Sequence, residues 1–290
     1  MNPEIRSKLQ ALGTELSPPM MQGTSALLAS MAAPRDATVE ITRDQRYGTD
    51  ERHRLDIFRK GQPTLAPVLV YVHGGGFVMG DKTSATSPFY DNVSQWAAQQ
   101  GWVGVTMTYR LAPQHRWPSG PEDMALAVRW LRENIAAYGG NPDALFLMGQ
   151  SAGGAHVAAY VAQSKFHHGG EVGLAGALMI SGIYDATAQP PNQFSNAYYG
   201  EGPTLREQAR HIDGLLASEL PLLFSVSEFD PGDFQDQAMQ VAQAWHQRKK
   251  RYAPLQYLAG HNHLSPAQSV GSAEEQFTRC IADFVAVNSP

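Results

Sequence analysis

The segment Leu145-Phe-Leu-Met-Gly149-Gln150-Ser151-Ala152-Gly153-Gly154 carries an apolar run into Gly-x-Ser-x-Gly and on into the helix formers Ala155–Ala159. A reversal from strand to helix within about one residue strains the backbone of Ser151 and lifts its hydroxyl above a sheet, at a helix N-terminus. Gly149 and Gly153 leave room for so sharp a turn. A serine held this way is placed to attack an acyl carbon, and the tetrahedral oxyanion that results needs preorganised N–H donors. Val68-Leu-Val-Tyr-Val72-His73-Gly74-Gly75-Gly76-Phe77 offers them. The N–H groups of Gly75 and Gly76, with that of Ala152 just after the serine, are the expected donors. Chance places His-Gly-Gly-Gly in a chain of this composition about 0.01 times. The loop lacks the Lys-Ser/Thr of a P-loop and the spacing of a dinucleotide fingerprint, which argues against a phosphate cradle. His73 is expected to orient the loop.

A serine nucleophile needs an imidazole to take its proton and a carboxylate to fix the tautomer of that imidazole. The strand–serine–helix turn resembles that of an α/β-hydrolase sheet, on which both are expected just past strand ends, in the order Ser, acid, His. The apolar run Leu222–Val226 leads into Ser227-Glu228-Phe229-Asp230-Pro231-Gly232-Asp233, and Asp230, before the turn-forming Pro-Gly, has the best position. Glu228 and Asp233 are the alternatives. Leu255–Leu258 leads into Ala259-Gly260-His261-Asn262-His263. His263 is the expected base, with His261 as its structural neighbour. No acidic or thiolate ligand stands near this pair, so no metal site is expected. His156 reads as a core residue, and His167 and His168 as surface.

These residues need a scaffold of alternating strands and helices. Strands are expected at Thr38–Thr42, Arg54–Phe58, Pro67–Val72, Val103–Thr108, Leu145–Met148, Ala175–Ile180, Leu222–Val226 and Leu255–Leu258. Helices are expected at Ser87–Gln100, Pro121–Tyr138, Ala152–Gln163, Phe234–Arg248 and Ala273–Val287. That rhythm predicts an α/β fold with a mostly parallel eight-stranded sheet covered on both faces. Residues 1–36, one or two amphipathic helices broken at Pro18-Pro19, and residues 185–218, rich in Pro, Asn and Tyr, are expected to form a small helical cap on a single domain of residues 1–290. Phe77, Trp117, Tyr184, Tyr198 and Tyr199 are candidate lining for a substrate pocket.

Composition narrows the field further. The 290 residues are 43% hydrophobic and 17% charged, and 22 Lys+Arg against 27 Asp+Glu leave a net charge of −5. Mild acidity provides no attraction to nucleic acid. Cys280 is the only cysteine, so an intrachain disulfide is impossible. The charged start MNPEIRSKLQ lacks the apolar core of a signal peptide, and no apolar run approaches the roughly 18 residues of a membrane span. A cytoplasmic protein without membrane or nucleic-acid partners is expected. A homodimer through a sheet edge or the last helix is compatible with the chain.

Four segments together resemble the α/β-hydrolase superfamily and, within it, the hormone-sensitive-lipase-like carboxylesterases. They are His73–Phe77; Tyr109-Arg110-Leu111-Ala112-Pro113 with Trp117-Pro118 and Asp123; Gly149–Gly154; and the Asp230 and His263 loops. The resemblance implies a hydrolase that needs no cofactor, with Ser151 as nucleophile, His263 as general base and acid, Asp230 as its orienter and a small-molecule ester as substrate. The family commonly has Asp before the nucleophile, where this chain has Gln150. Val78–Lys82, Ser151–His156 and Asp230–Gln237 also resemble the kynurenine-formamidase branch. An aryl formamide or small amide is therefore the alternative substrate.

Overall fold

The computed structural model describes residues 1–290. Its strands are β1 (Val39–Arg46), β2 (Arg54–Lys60), β3 (Ala66–Val72), β4 (Val103–Met107), β5 (Gly140–Gln150), β6 (Gly176–Ile180), β7 (Leu222–Phe229) and β8 (Leu255–Asn262). They form one sheet in the order β1-β2-β4-β3-β5-β6-β7-β8. β1–β2 and β2–β4 pair antiparallel, and every pair from β4 through β8 is parallel. All eight strands overlap the expected segments. β1 extends four residues past its expected end into Arg43–Arg46. Its polar tail is held by ion pairs: Arg43 bonds Asp56 at 2.7 Å and Asp91 at 2.7 Å, and Lys82 reaches Asp56 at 2.8 Å.

The parallel strands are apolar on both faces, and alternation within each strand sorts the side chains into two cores. Val68, Val70, Val72, Leu145, Leu147, Ala177, Met179 and Phe224 face one side. Helices α4 (Ser119–Asn134), α5 (Ala152–Ala162) and α9 (Gly232–Lys249) cover it with Leu131, Val157 and Trp245. Leu69, Tyr71, Phe146, Met148, Leu178 and Ile180 face the other side. There α3 (Asp91–Gln99), the short α10 (Ser265–Gln268) and α11 (Gln276–Asn288) add Trp96, Ala267 and Ile281.

The chain passes from β3 leftward to β4 and then returns to β5 on the other side of β3. Loops leaving the carboxyl ends of β3 and β5 therefore start side by side, with Val72 paired to Gly149. Open α/β sheets bind ligands at such a switch point. α1 (Pro3–Ala11) and α2 (Pro18–Ala29) lie against β8 and α10, where Arg6 pairs with Glu228 and Thr24 accepts from Asn262 at 2.7 Å. α6 (Gln193–Tyr199) lies over the loop after β3, and α7 (Pro203–Gln208) packs beside it, with Arg206 donating to Asn196 at 2.9 Å. α8 (Ile212–Ala217) departs from the expected cap: Leu215 and Leu216 enter the main core beside α5 and α9. Two consecutive large apolar residues bury more surface there than a polar cap allows. No helix is long and apolar enough to cross a membrane.

Candidate active site

Ser151 sits between β5 and α5 with φ +55° and ψ −119°, and 7% of its surface is exposed. The turn fits because its flanking residues have no side chains. A Cβ on Gly153 would stand 2.2 Å from the Val72 carbonyl oxygen, and one on Gly149 would stand 2.4 Å from that of Gly153. No shift of a flexible side chain could relieve either contact. Ala152 opens α5, where an N–H has no acceptor one turn back.

The loop after β3 approaches the same point. Gly74 lies so near the elbow that a Cβ there would be 3.3 Å from the Ser151 Cβ. Gly75 has φ +120°, and a Cβ on it would meet the Met79 oxygen at 2.1 Å. The N–H groups of Gly75 and Gly76 serve no backbone acceptor of the protein. His73 holds the loop from beneath. Its Nδ1 lies 2.6 Å from the Gly74 oxygen, and its ring stacks on Tyr109 at 4.3 Å. Burial lowers its pKa to about 4, so the ring is neutral near pH 7. The Tyr109 hydroxyl donates to the His73 carbonyl at 2.8 Å, and the adjoining chain is tied down through Asp123, which takes both Arg110 and His53.

Past the ends of β7 and β8, His263 Nδ1 meets Asp230 Oδ1 at 2.7 Å, with both residues buried. Asp230 Oδ2 accepts from the Ser227 N–H at 2.6 Å and from the Ser181 hydroxyl at 2.7 Å. One face of the imidazole packs on Phe234, 4.3 Å between ring centres. His263 Nε2 is buried and makes no hydrogen bond. The alternatives to these two residues are occupied otherwise. Glu228 accepts from Gly260 N–H at 2.7 Å and pairs with Arg6, and Asp233 Oδ2 lies 3.3 Å from the Gln189 amide. His261 bonds Ser265 Oγ at 2.9 Å, and burial lowers its pKa to about 4.

The five aromatic candidates are all buried, at most 5% exposed. Phe77 stacks on Tyr198 at 4.5 Å and touches Tyr199 and His156 edge-on. Trp117 donates to Gln208, and the Tyr198 hydroxyl accepts from Gly120 N–H at 3.0 Å. These four side chains bind α6 and α7 to the elbow helix. Tyr184 does not join them. It belongs to the main sheet core, edge-on to Phe224 at 5.3 Å, with its hydroxyl on the Met179 oxygen at 3.4 Å. Its place there follows from Gln237, whose side chain takes the N–H groups of Tyr184 and Asp185 and turns the chain inward.

Ser181, Phe234 and Phe194 escaped the sequence reading. Phe194 packs on the backbone of the glycine loop, within 3.0 Å of where a Cβ on Gly76 would lie. Ser181 had a usable signal, as the first polar residue beyond the apolar run of β6. The two phenylalanines had none that set them apart from other apolar residues.

A family model described as alpha/beta hydrolase fold matches residues 69–219, slightly more than half of the chain. Esterase LipQ of Mycobacterium tuberculosis is 32% identical over 222 residues, which is 70% of this chain and 50% of LipQ. Esterase LipC of the same organism is 36% identical over 149 residues, 48% of this chain and 36% of LipC. The chain spans about half or less of the length of these curated relatives. In three dimensions, the fold is similar to that of a hyperthermophilic esterase from the archaeon Pyrobaculum calidifontis. The TM-score is 0.74 at 23% identity, over 99% of this chain and 98% of that one.

Proposed function

The chain belongs to the alpha/beta hydrolase fold family, and from that premise we propose that it hydrolyses small or aromatic carboxylic esters through an acyl-enzyme on Ser151. The observation that carries this reading is the His263–Asp230 bond of 2.7 Å, on the same sheet end as a serine at φ +55° and two free glycine amides. His263 Nε2 takes the Ser151 proton as Oγ attacks the ester carbonyl, and Asp230 stabilises the imidazolium and holds its tautomer. The N–H groups of Gly75, Gly76 and Ala152 receive the oxyanion. The alcohol leaves with the proton from His263. Water, deprotonated by the same nitrogen, then releases the acid. The esterase names of LipQ and LipC support an ester over other acyl substrates. The only cysteine is consistent with work in the cytoplasm, and α1, α2, α6 and α7 act as the cap of the single domain.

The test is a paired rate measurement on a p-nitrophenyl short-chain ester and on N-formylkynurenine, each with Ser151→Ala as blank. Ester turnover lost in the variant by several orders of magnitude, with Tm retained, is the expected result. A formamide rate equal to or above the ester rate would overturn the ester assignment and move the chain to amide cleavage. Near-normal ester turnover in Ser151→Ala would remove the nucleophile.

A further inference from the structure

Gln150 immediately precedes Ser151, has no exposed surface and spends both ends of its amide on defined partners. Its Nε2 donates to the His263 backbone carbonyl at 2.6 Å, and its Oε1 accepts from the Tyr71 hydroxyl at 2.9 Å. Tyr71 lies on β3 and is itself fully buried, so bulk solvent does not reach its hydroxyl. Burial also pushes its pKa well above the ordinary tyrosine range, which keeps it a donor. The order of the two bonds is therefore set: a donor on β3, an acceptor and a donor on Gln150, and an acceptor on the His263 loop.

The position of this side chain in the sheet gives the relay its meaning. Ser151 leaves β5 and His263 follows β8, with β6 and β7 between them. The other bonds on the His263 loop are local or lead elsewhere. Asn262 accepts from the N–H groups of Leu264 and Ser265, and Asp230 holds Nδ1 from the β7 loop. Gln150 alone runs directly from the residue beside the nucleophile to the residue that carries the base. We propose that Gln150 is a positioning residue, setting where the His263 imidazole stands relative to Ser151 Oγ. This rests on the acyl-enzyme reading above. A carboxylate at this position could accept from Tyr71 yet could donate to the carbonyl only when protonated, so the amide is needed for the complete relay.

The experiment compares the full chain with Gln150→Met, Gln150→Glu and Tyr71→Phe on p-nitrophenyl acetate, with Ser151→Ala as blank. Methionine keeps the volume and removes both bonds. The expected result is a kcat lower by about 10- to 100-fold with KM within about twofold, because misplacing the base spoils the transition state and leaves binding intact. The glutamate variant should lose kcat on the alkaline side as its buried carboxyl ionises, a limb absent from the unsubstituted protein. The titratable groups facing that position are Tyr71 with Tyr90 behind it, and the His263–Asp230 pair. Tyr71→Phe should cost about two- to fivefold in kcat, the effect of one neutral hydrogen bond.

A folded Gln150→Met with kcat within twofold, together with a glutamate variant lacking the alkaline limb, overturns the proposal. Should Gln150→Met not fold, the pH profile of Gln150→Glu decides it alone. If the unsubstituted protein does not turn over the ester, the esterase reading fails separately. The proposal is then judged by the NMR resonance of the His263 Nδ1 proton. That signal must shift or broaden in Gln150→Glu, and an unchanged signal overturns the inference.

Discussion

The two halves of the candidate site are made of different material. Around β3 and β5 the working parts are backbone: amides of Gly75 and Gly76, a serine at φ +55°, and glycines whose missing Cβ atoms keep 2.1–2.4 Å overlaps from arising. Around β7 and β8 the working parts are side chains, with Asp230 receiving Ser227, Ser181 and His263 and the imidazole packed on Phe234. The backbone half admits almost no substitution at a given position, because steric exclusion at 2.2 Å cannot be bargained away. The side-chain half is a network in which each partner contributes a part. The first should fail abruptly when altered and the second by degrees, except at the group that sets the tautomer.

That exception gives the largest expected effect. Asp230→Asn should keep the fold and lower kcat by about 10⁴-fold, since an amide fixes the wrong imidazole tautomer. A loss below tenfold would reassign the orienting acid. Gly75→Ala tests the backbone half, since the added methyl meets the Met79 oxygen and displaces the loop. Loss of an oxyanion donor predicts about 10²- to 10³-fold in kcat. Activity retained in this variant would show that the loop amides do not serve the reaction. Ser181→Ala removes one of three bonds to Asp230, and about 1 kcal/mol, or roughly fivefold in kcat, is expected. A loss as large as that of Asp230→Asn would mean that the side-chain half is as unforgiving as the other.

Stability against pH sharpens the comparison from another direction. Burial lowers the pKa of His73 and His261 to about 4 and of His156 and His211 to about 3. Unfolded histidines take up protons near pH 6.5, whereas these folded ones do not until pH 4 or below. Their stabilisation is thus present above pH 6.5 and is lost as pH falls from there toward 4, at about 1.4 kcal/mol per pH unit for each group. Calorimetry at pH 7.5, 6 and 5 should show Tm dropping steeply. A constant Tm over that range would mean that the folded imidazoles find partners for a second proton. His73 and His156 lie under the backbone half, so inactivation by acid should coincide with this unfolding.

The glycine loop, the elbow and all eight strands were legible in the sequence for one reason. Each depends on short-range requirements: a positive φ, a missing Cβ, an apolar run in the strands buried on both faces, or the alternating Val39 and Ile41 of the edge strand β1. Ends of elements were less legible. β1 runs on to Arg46 only because Asp56 and Asp91 on other elements neutralise Arg43. The helix expected from Ser87 begins at Asp91, the residue that accepts that arginine. The polar surroundings of α8 point to the cap, yet Leu215 and Leu216 carry it into the core.

Sequence by itself determined the parts whose chemistry is local: which serine stands in a strained turn, which amides are bare, and that an acid and a histidine follow the last strands. Tertiary structure alone decided among equals. Asp230, Glu228 and Asp233 are three carboxylates around the end of one strand, and only Asp230 meets an imidazole, while Glu228 is taken by Arg6 and Gly260. His261 and His263 are two residues apart, but His261 still lies within β8 and bonds Ser265, whereas His263 lies just past the strand end and reaches Asp230. Gln150 and Tyr71 are 79 positions apart and Gln150 and His263 are 113 apart, so no spacing rule could join them. They meet because β3, β5 and β8 run parallel in one sheet and end on the same side of it, where buried polar atoms must find partners.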